Sequence, residues 1–217
     1  GGYLPTGNQQ VFVVPADGGT PRQMTSGDYP ISGTVSWMPD SQSIVFSSNR
    51  RENVEYHPRQ NDLYVASITT GELTQMTEHA GPEGNPAVSP NGRYLAYTSA
   101  ADTRQGYNRA DLRVMDLTSG ESRSLTADLD RSVSDIQWSA DSKSVWIRYN
   151  DLGMARIAEV DLKGNLTRAD VVLGGTALGR PYTSGTFSVG GKDRIAYTLG
   201  RDDRPADLAI MRSGKQP

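Results

Sequence analysis

This 217-residue sequence holds two histidines and no cysteine, which narrows its chemistry at once. A serine hydrolase needs its nucleophile on a G-x-S-x-G turn and a histidine to move the proton. The nearest string, Gly185-Thr186-Phe187-Ser188-Val189-Gly190, has the wrong spacing and falls in a strand pattern. His57 and His79 lie in loop patterns with no plausible serine partner, and they read as solvated or structural. His57 with Glu52 and Glu55 makes a charged loop rather than a metal site, since one histidine there is ordinarily hydrated. Gly174-Gly175-Thr176 lacks the lysine and helix of a phosphate loop. Asn165-Leu166-Thr167 matches the glycosylation sequon, a motif short enough to recur by chance. The inventory therefore calls for no catalytic residue, no metal and no cofactor. One cluster remains, Arg50, Arg51, Arg59, Arg104 and Tyr107. A guanidinium binds a carboxylate through a two-pronged fork, so a peptide terminus or an acidic side chain is the natural ligand. The competing reading pairs these arginines with Glu52, Glu55 and Asp102 in the same loops.

The elements that carry these loops come from a repeat. Val35-Ser36-Trp37-Met38-Pro39-Asp40 returns as Ala87-Val88-Ser89-Pro90-Asn91-Gly92 and as Ile136-Gln137-Trp138-Ser139-Ala140-Asp141. A worn copy is Thr186-Phe187-Ser188-Val189-Gly190-Gly191. Trp37, Val88, Trp138 and Phe187 stand 51, 50 and 49 residues apart. A period of this size, filled with short strand patterns and turns, signals a β-propeller. In the first full copy the strands read as Thr34–Trp37, Ser43–Ser48, Asp62–Ile68 and Leu73–Thr77. Leu63, Val65 and Ser67 face one way, and Asp62, Tyr64 and Ala66 the other. Asp40, Asn91 and Asp141 recur at one repeat position, which marks them as turn formers rather than a catalytic set. Trp37, Trp138 and Phe187 are expected between blades, in the core. The fold class is all-β: a propeller segment of four-stranded antiparallel blades, about four of them, forming an arc of a larger ring. The units are a half blade at 8–25, blades at 34–77, 86–126 and 135–173, and an incomplete blade at 185–212.

Strand direction alternates within a blade. The long, charged links between second and third strands, at 49–61 and 101–109, therefore emerge on the same face as the crossovers between blades. Function on a rigid scaffold concentrates in such loops. Net charge is −3 with 22% charged residues, so nothing is basic enough to suggest a nucleic-acid partner. No apolar run is long enough to span a membrane, and residues 1–10 lack the basic start and apolar core of a signal peptide. The lack of cysteine fits a cytoplasmic or a periplasmic setting equally. Both ends read as parts of blades, Val11–Val14 with Pro21–Thr25 at one and Leu208–Met211 at the other. Open blade edges of that kind favour self-association.

These phrases resemble the W-S-P-D-G repeat of TolB-like propellers. Val11-Phe12-Val13-Val14-Pro15-Ala16-Asp17-Gly18-Gly19-Thr20-Pro21-Arg22-Gln23 is similar to the propeller of prolyl oligopeptidase family serine peptidases, in the acylaminoacyl-peptidase and dipeptidyl-peptidase-like branch. Glu55-Tyr56-His57-Pro58-Arg59, Arg104-Gln105-Gly106-Tyr107 and Leu178-Gly179-Arg180-Pro181-Tyr182 point the same way. The resemblance implies a non-catalytic propeller that gates access to, and helps bind, short peptides for a separate α/β-hydrolase domain. That catalytic domain is absent from this sequence, and no family catalytic residue carries over to it. The implied partners are a peptide on the long-loop face and the hydrolase domain. The alternative is a TolB-like module that binds a protein or peptide with no hydrolase. A sugar lyase would want a histidine-rich metal site, which two histidines do not supply.

Overall fold

A computed structural model of the protein describes residues 7–103, 105–175, 184–191, 194–201 and 203–212. Its strands are β1 (Phe12–Val13), β2 (Arg22–Gln23), β3 (Ile31–Trp37), β4 (Ser43–Ser48), β5 (Asp62–Ser67), β6 (Leu73–Gln75), β7 (Glu83–Val88), β8 (Tyr94–Ser99) and β9 (Asp111–Asp116). They continue as β10 (Ser122–Ser124), β11 (Val133–Trp138), β12 (Ser144–Asp151), β13 (Met154–Asp161), β14 (Leu166–Arg168), β15 (Phe187–Gly190), β16 (Arg194–Arg201) and β17 (Arg204–Arg212). β3–β6, β7–β10 and β11–β14 are four-stranded antiparallel sheets in sequence order, which we call blades A, B and C. β15–β17 form a three-stranded blade D, and β1 pairs with β2 ahead of blade A. The ring of blades is not closed among the described residues. Among those residues, no helix is long and apolar enough to cross a membrane.

Three local devices repeat. The first turn of each blade is closed by its carboxylate or amide: Asp40 accepts from Gln42 N–H, Asn91 from Arg93 N–H and Asp141 from Lys143 N–H, at 2.9–3.1 Å. This is the turn role their type and position suggest. The fourth strand ends in a threonine whose hydroxyl continues the ladder. Thr25, Thr77 and Thr126 accept the N–H of Val11, Leu63 and Leu112, each at 2.9 Å. The innermost strand carries a bulge, marked by register shifts between Ser32 and Ser36, Gly84 and Ala87, and Ser134 and Gln137. Gly33, Asn85 and Asp135 take positive φ there (74°, 51° and 48°). The first strand of blade A thus begins at Ile31 rather than Thr34, because the bulge interrupts the alternation.

The core lies between blades. The alternation expected for β5 is observed: Tyr64 and Ala66 join Met24, Ile44 and Phe46 on one side. Leu63 joins Val45, Leu95, Tyr97 and Met115 on the other. Ala96, Leu112, Val114 and Trp138 fill the junction of blades B and C. Trp146, Ile157, Phe187, Ile195 and Tyr197 fill the junction of C and D. Trp138 is 8% exposed, stacks on Tyr94 at 6.1 Å and donates its indole N–H to Ala87 O at 2.8 Å. Trp37 departs from expectation, since it is 47% exposed. The reason is its neighbour: among the described residues β1 and β2 alone stand before blade A, and they cover its outer half through Val11, Val13 and Met24.

Glu83 opens β7 and is buried at the junction of A and B, where Oε2 has no hydrogen-bond partner among the described residues. Burial pushes its carboxyl above the ordinary carboxylate range, against the opposing pull of the Thr77 hydroxyl and His79. The folded state holds that proton more tightly than the unfolded chain. Stability is therefore fully present below the unfolded pKa of about 4.3 and is lost as pH rises through the raised folded value. Glu83→Gln is expected to melt above the wild type at pH 7 and level with it near pH 4, by calorimetry at both. The two tryptophans make a second test in urea denaturation. Trp138→Ala is expected to cost roughly 3–5 kcal/mol, and Trp37→Ala less than about 1 kcal/mol.

Candidate functional site

Two long links between second and third strands rise from blades A and B and lean on each other. The first, at 49–61, contains the single 3-10 turn Val54–Tyr56 among the described residues. Asn49 steers it by donating from Nδ2 to His57 O at 2.7 Å. The second, at 100–110, is fastened to the crossover between blades A and B. Ala100 N–H donates to Pro82 O at 3.0 Å, and Asp102 N–H to Ala80 O at 2.9 Å. The approach is close enough that a Cβ on Gly81 would lie 2.0 Å from Ala100 O, so only glycine fits there. Gln60 Nε2 donates to Asp102 Oδ2 at 2.9 Å and joins the two loops. Blade C breaks the expected pattern. Its second and third strands are joined by Leu152 and Gly153, both at positive φ, a two-residue hairpin turn. Among the described residues, long links between second and third strands thus belong to blades A and B.

A repeated lock holds this surface to the blades. Asp62 begins β5 fully buried and binds Arg51 Nη2 at 3.0 Å. The same nitrogen donates to His79 O at 2.9 Å, and Asp62 also accepts the His79 N–H at 3.1 Å. Asp111 begins β9 and binds Arg109 Nε at 3.1 Å. Arg109 in turn donates to Ala127 O at 2.9 Å and Leu129 O at 3.1 Å. In both blades an aspartate at the head of the third strand holds an arginine that ties down the following crossover.

Of the five singled-out residues, four separate into two groups. Arg51 is committed to Asp62 and the crossover, not to Glu52, Glu55 or Asp102 as the competing sequence reading had it. Arg50 lies 4.7 Å over the Tyr29 ring and 5.7 Å from that of Tyr64. Its Nε and Nη2 are buried without a partner among the described residues. Arg59 and Tyr107 are displayed. Arg59 is exposed, makes no ion pair among the described residues, and lines a cleft of about 450 Å³ with Tyr56, His57, Gln60 and Asn108. Tyr107, 65% exposed, lines an adjoining cleft of about 450 Å³ with His79, Arg109, Asp111 and Asp130. Gln105 and Asn108 line both clefts. Arg104 lies outside the described residues.

Tyr56, 76% exposed, and Asn108 were not among the candidates, and it is the leaning together of the two loops that brings them to the same cleft as Arg59. The aspartate of the lock escaped too, although the phrase Asp62-Leu63 returns as Asp111-Leu112 and Asp207-Leu208. His57 and His79 serve through their backbones: His57 O accepts from Asn49, and His79 through the contacts above. Among the described residues no group of three histidines, aspartates or glutamates could hold a metal.

Comparison with known proteins agrees with this fold. Residues 3–104 match the family described as Dipeptidyl peptidase IV (DPP IV) N-terminal region. Dipeptidyl-peptidase 5 of Porphyromonas gingivalis is 31% identical over 133 residues, covering 59% of this chain and 19% of that protein. The chain thus spans about a fifth of that relative's length. Among solved structures, a puromycin-hydrolyzing peptidase of Mycobacterium tuberculosis superposes with a TM-score of 0.69 at 15% identity, over 96% of this chain and 34% of its own. TolB from Acinetobacter baumannii gives 0.64 at 21% identity, over 96% of this chain and 47% of its own. At such identities the structures speak for the fold alone. Residues 3–104, just under half of the chain, are thus similar to the dipeptidyl peptidase IV N-terminal region, and the later blades continue the same succession of antiparallel sheets.

Proposed function

We propose that this protein is the non-catalytic propeller region of a serine peptidase. Its long-loop face gates access to a separate α/β-hydrolase domain and helps hold short peptides for it. The observation that carries this reading is the display of Arg59, Tyr56 and Tyr107 over two adjoining clefts on one rigid surface. The neighbouring Arg51 is spent on the scaffold instead. An exposed guanidinium beside aromatic rings suits a peptide carboxylate with an apolar side chain next to it. The relatives' names support the peptidase setting, since one is a dipeptidyl-peptidase and another structure is a puromycin-hydrolyzing peptidase. A second reading, a TolB-like module that recognises a protein or peptide without any hydrolase, draws on the likeness to TolB. Arg104 stays in the proposal by its place in the sequence of the second long loop, whereas Arg50, packed over Tyr29 and Tyr64 and lining neither cleft, does not.

The test is calorimetric titration of short peptides with free and with amidated C-termini. Free-acid peptides are expected to bind more tightly, and Arg59→Ala to weaken them roughly tenfold, the size of one charge-assisted hydrogen bond. Amidated peptides should be little affected, and the difference should shrink as salt rises. Equal affinity of both peptide sets for wild type and variant would overturn the carboxylate role of this face. Binding of a folded protein but of no short peptide would favour the second reading.

A further inference from the structure

The cleft that displays Arg59 also holds two side-chain amides, one from each long loop. Gln60 follows Arg59 on the first loop, and Asn108 lines the same cleft from the second. Each amide is fixed through one of its polar atoms. Gln60 donates from Nε2 to Asp102 Oδ2 at 2.9 Å, and an ionised carboxylate only accepts, so the orientation of this amide is settled. Asp102 is itself held to the crossover, its N–H donating to Ala80 O at 2.9 Å. Asn108 accepts through Oδ1 from the Thr103 hydroxyl of its own loop. The atoms left over are Gln60 Oε1, an acceptor, and Asn108 Nδ2, a donor. Neither has a hydrogen-bond partner among the described residues, and neither is among the buried unmet atoms, so both stay open to solvent. A peptide group carries one N–H and one C=O, and it needs one acceptor and one donor in return. Both amides are half-buried and already oriented, so little ordering remains to be done on binding.

We propose that Gln60 and Asn108 clamp one peptide group of the ligand whose carboxylate meets Arg59. Gln60 Oε1 accepts its N–H, and Asn108 Nδ2 donates to its C=O. The clamp rests on the reading of the long-loop surface as a peptide site and adds to it a requirement for the amide N–H itself. Asn108 also lines the adjoining cleft of Tyr107, so the chain beyond the clamped group continues there. A site built to hydrogen-bond a ligand N–H rejects an analogue that lacks it, because the acceptor is then left without its partner. The ligand class is thus a linear peptide acid, as distinct from its ester analogue or a single amino acid.

The test is calorimetric titration of the full chain with free-acid tetrapeptides in which each amide in turn is replaced by an ester. The exchange removes the N–H and keeps the carbonyl and the shape. At one position the ester is expected to bind roughly fivefold more weakly than the amide, the size of one neutral hydrogen bond. In Gln60→Ala that ratio should fall to about one, since the acceptor is gone. A role of Gln60 confined to joining the loops would weaken amide and ester alike and keep the ratio, which overturns the proposal. Asn108→Ala should weaken both ligands, because both keep the carbonyl, and an unchanged affinity there also overturns it. Esters that match amides at every position, in a wild type that still prefers free-acid to amidated peptides, overturn the clamp and leave the carboxylate reading standing. Binding of no peptide at all overturns both.

Discussion

Every blade here has two apolar faces, and the rest of the structure follows from the need to cover both. Strand alternation puts Tyr64 and Ala66 on one side of β5 and Leu63 on the other, so a single sheet cannot bury itself. The four core clusters are accordingly junctions between successive sheets rather than the interior of any one. Trp37 and Trp138 make the point with the same residue at the same repeat position. With an inner strand pair before it, the ring is buried and hydrogen-bonded; without one, it stays half exposed.

Junctions of this kind also place the loops. Stacking blades A and B sets their long links side by side. The buried carboxylate of Asp62 then fixes what stacking alone leaves loose, by holding Arg51 against the crossover that carries His79. Removing one partner from such a pair would leave a buried charge unmet, which costs far more than a surface ion pair is worth. Arg59, Tyr56 and Tyr107 are thus displayed from loops that are fastened at their roots. Rigid roots with exposed tips suit recognition, since little ordering is left to be done on binding.

The sequence was legible where one residue type does one local job. The turn aspartates and asparagine, the threonines ending each fourth strand, and the alternation of β5 could all be read from spacing. It was less legible where a contact joins distant segments. The bulges at Gly33, Asn85 and Asp135 hid the first residues of the inner strands, because a positive φ breaks the alternation that marks a strand. The commitment of Arg51 to Asp62 was invisible in a loop richer in nearer acids. The exposure of Trp37 depended on what stands before blade A, not on anything in its own repeat. The short turn at Leu152 and Gly153 breaks the run of long links, though the charged links had suggested a property of the repeat.

The central claim is that the long-loop surface of blades A and B is where this scaffold meets its ligand. The direct measurement is mapping of backbone amide shifts by NMR during titration with a short free-acid peptide. The account predicts saturable changes at Tyr56 to Gln60 and at Asp102 to Arg109. The turns at Ser41 and Gly71, on the opposite face, should stay still. Changes centred on those opposite turns, or no saturable change on the long loops, would contradict it.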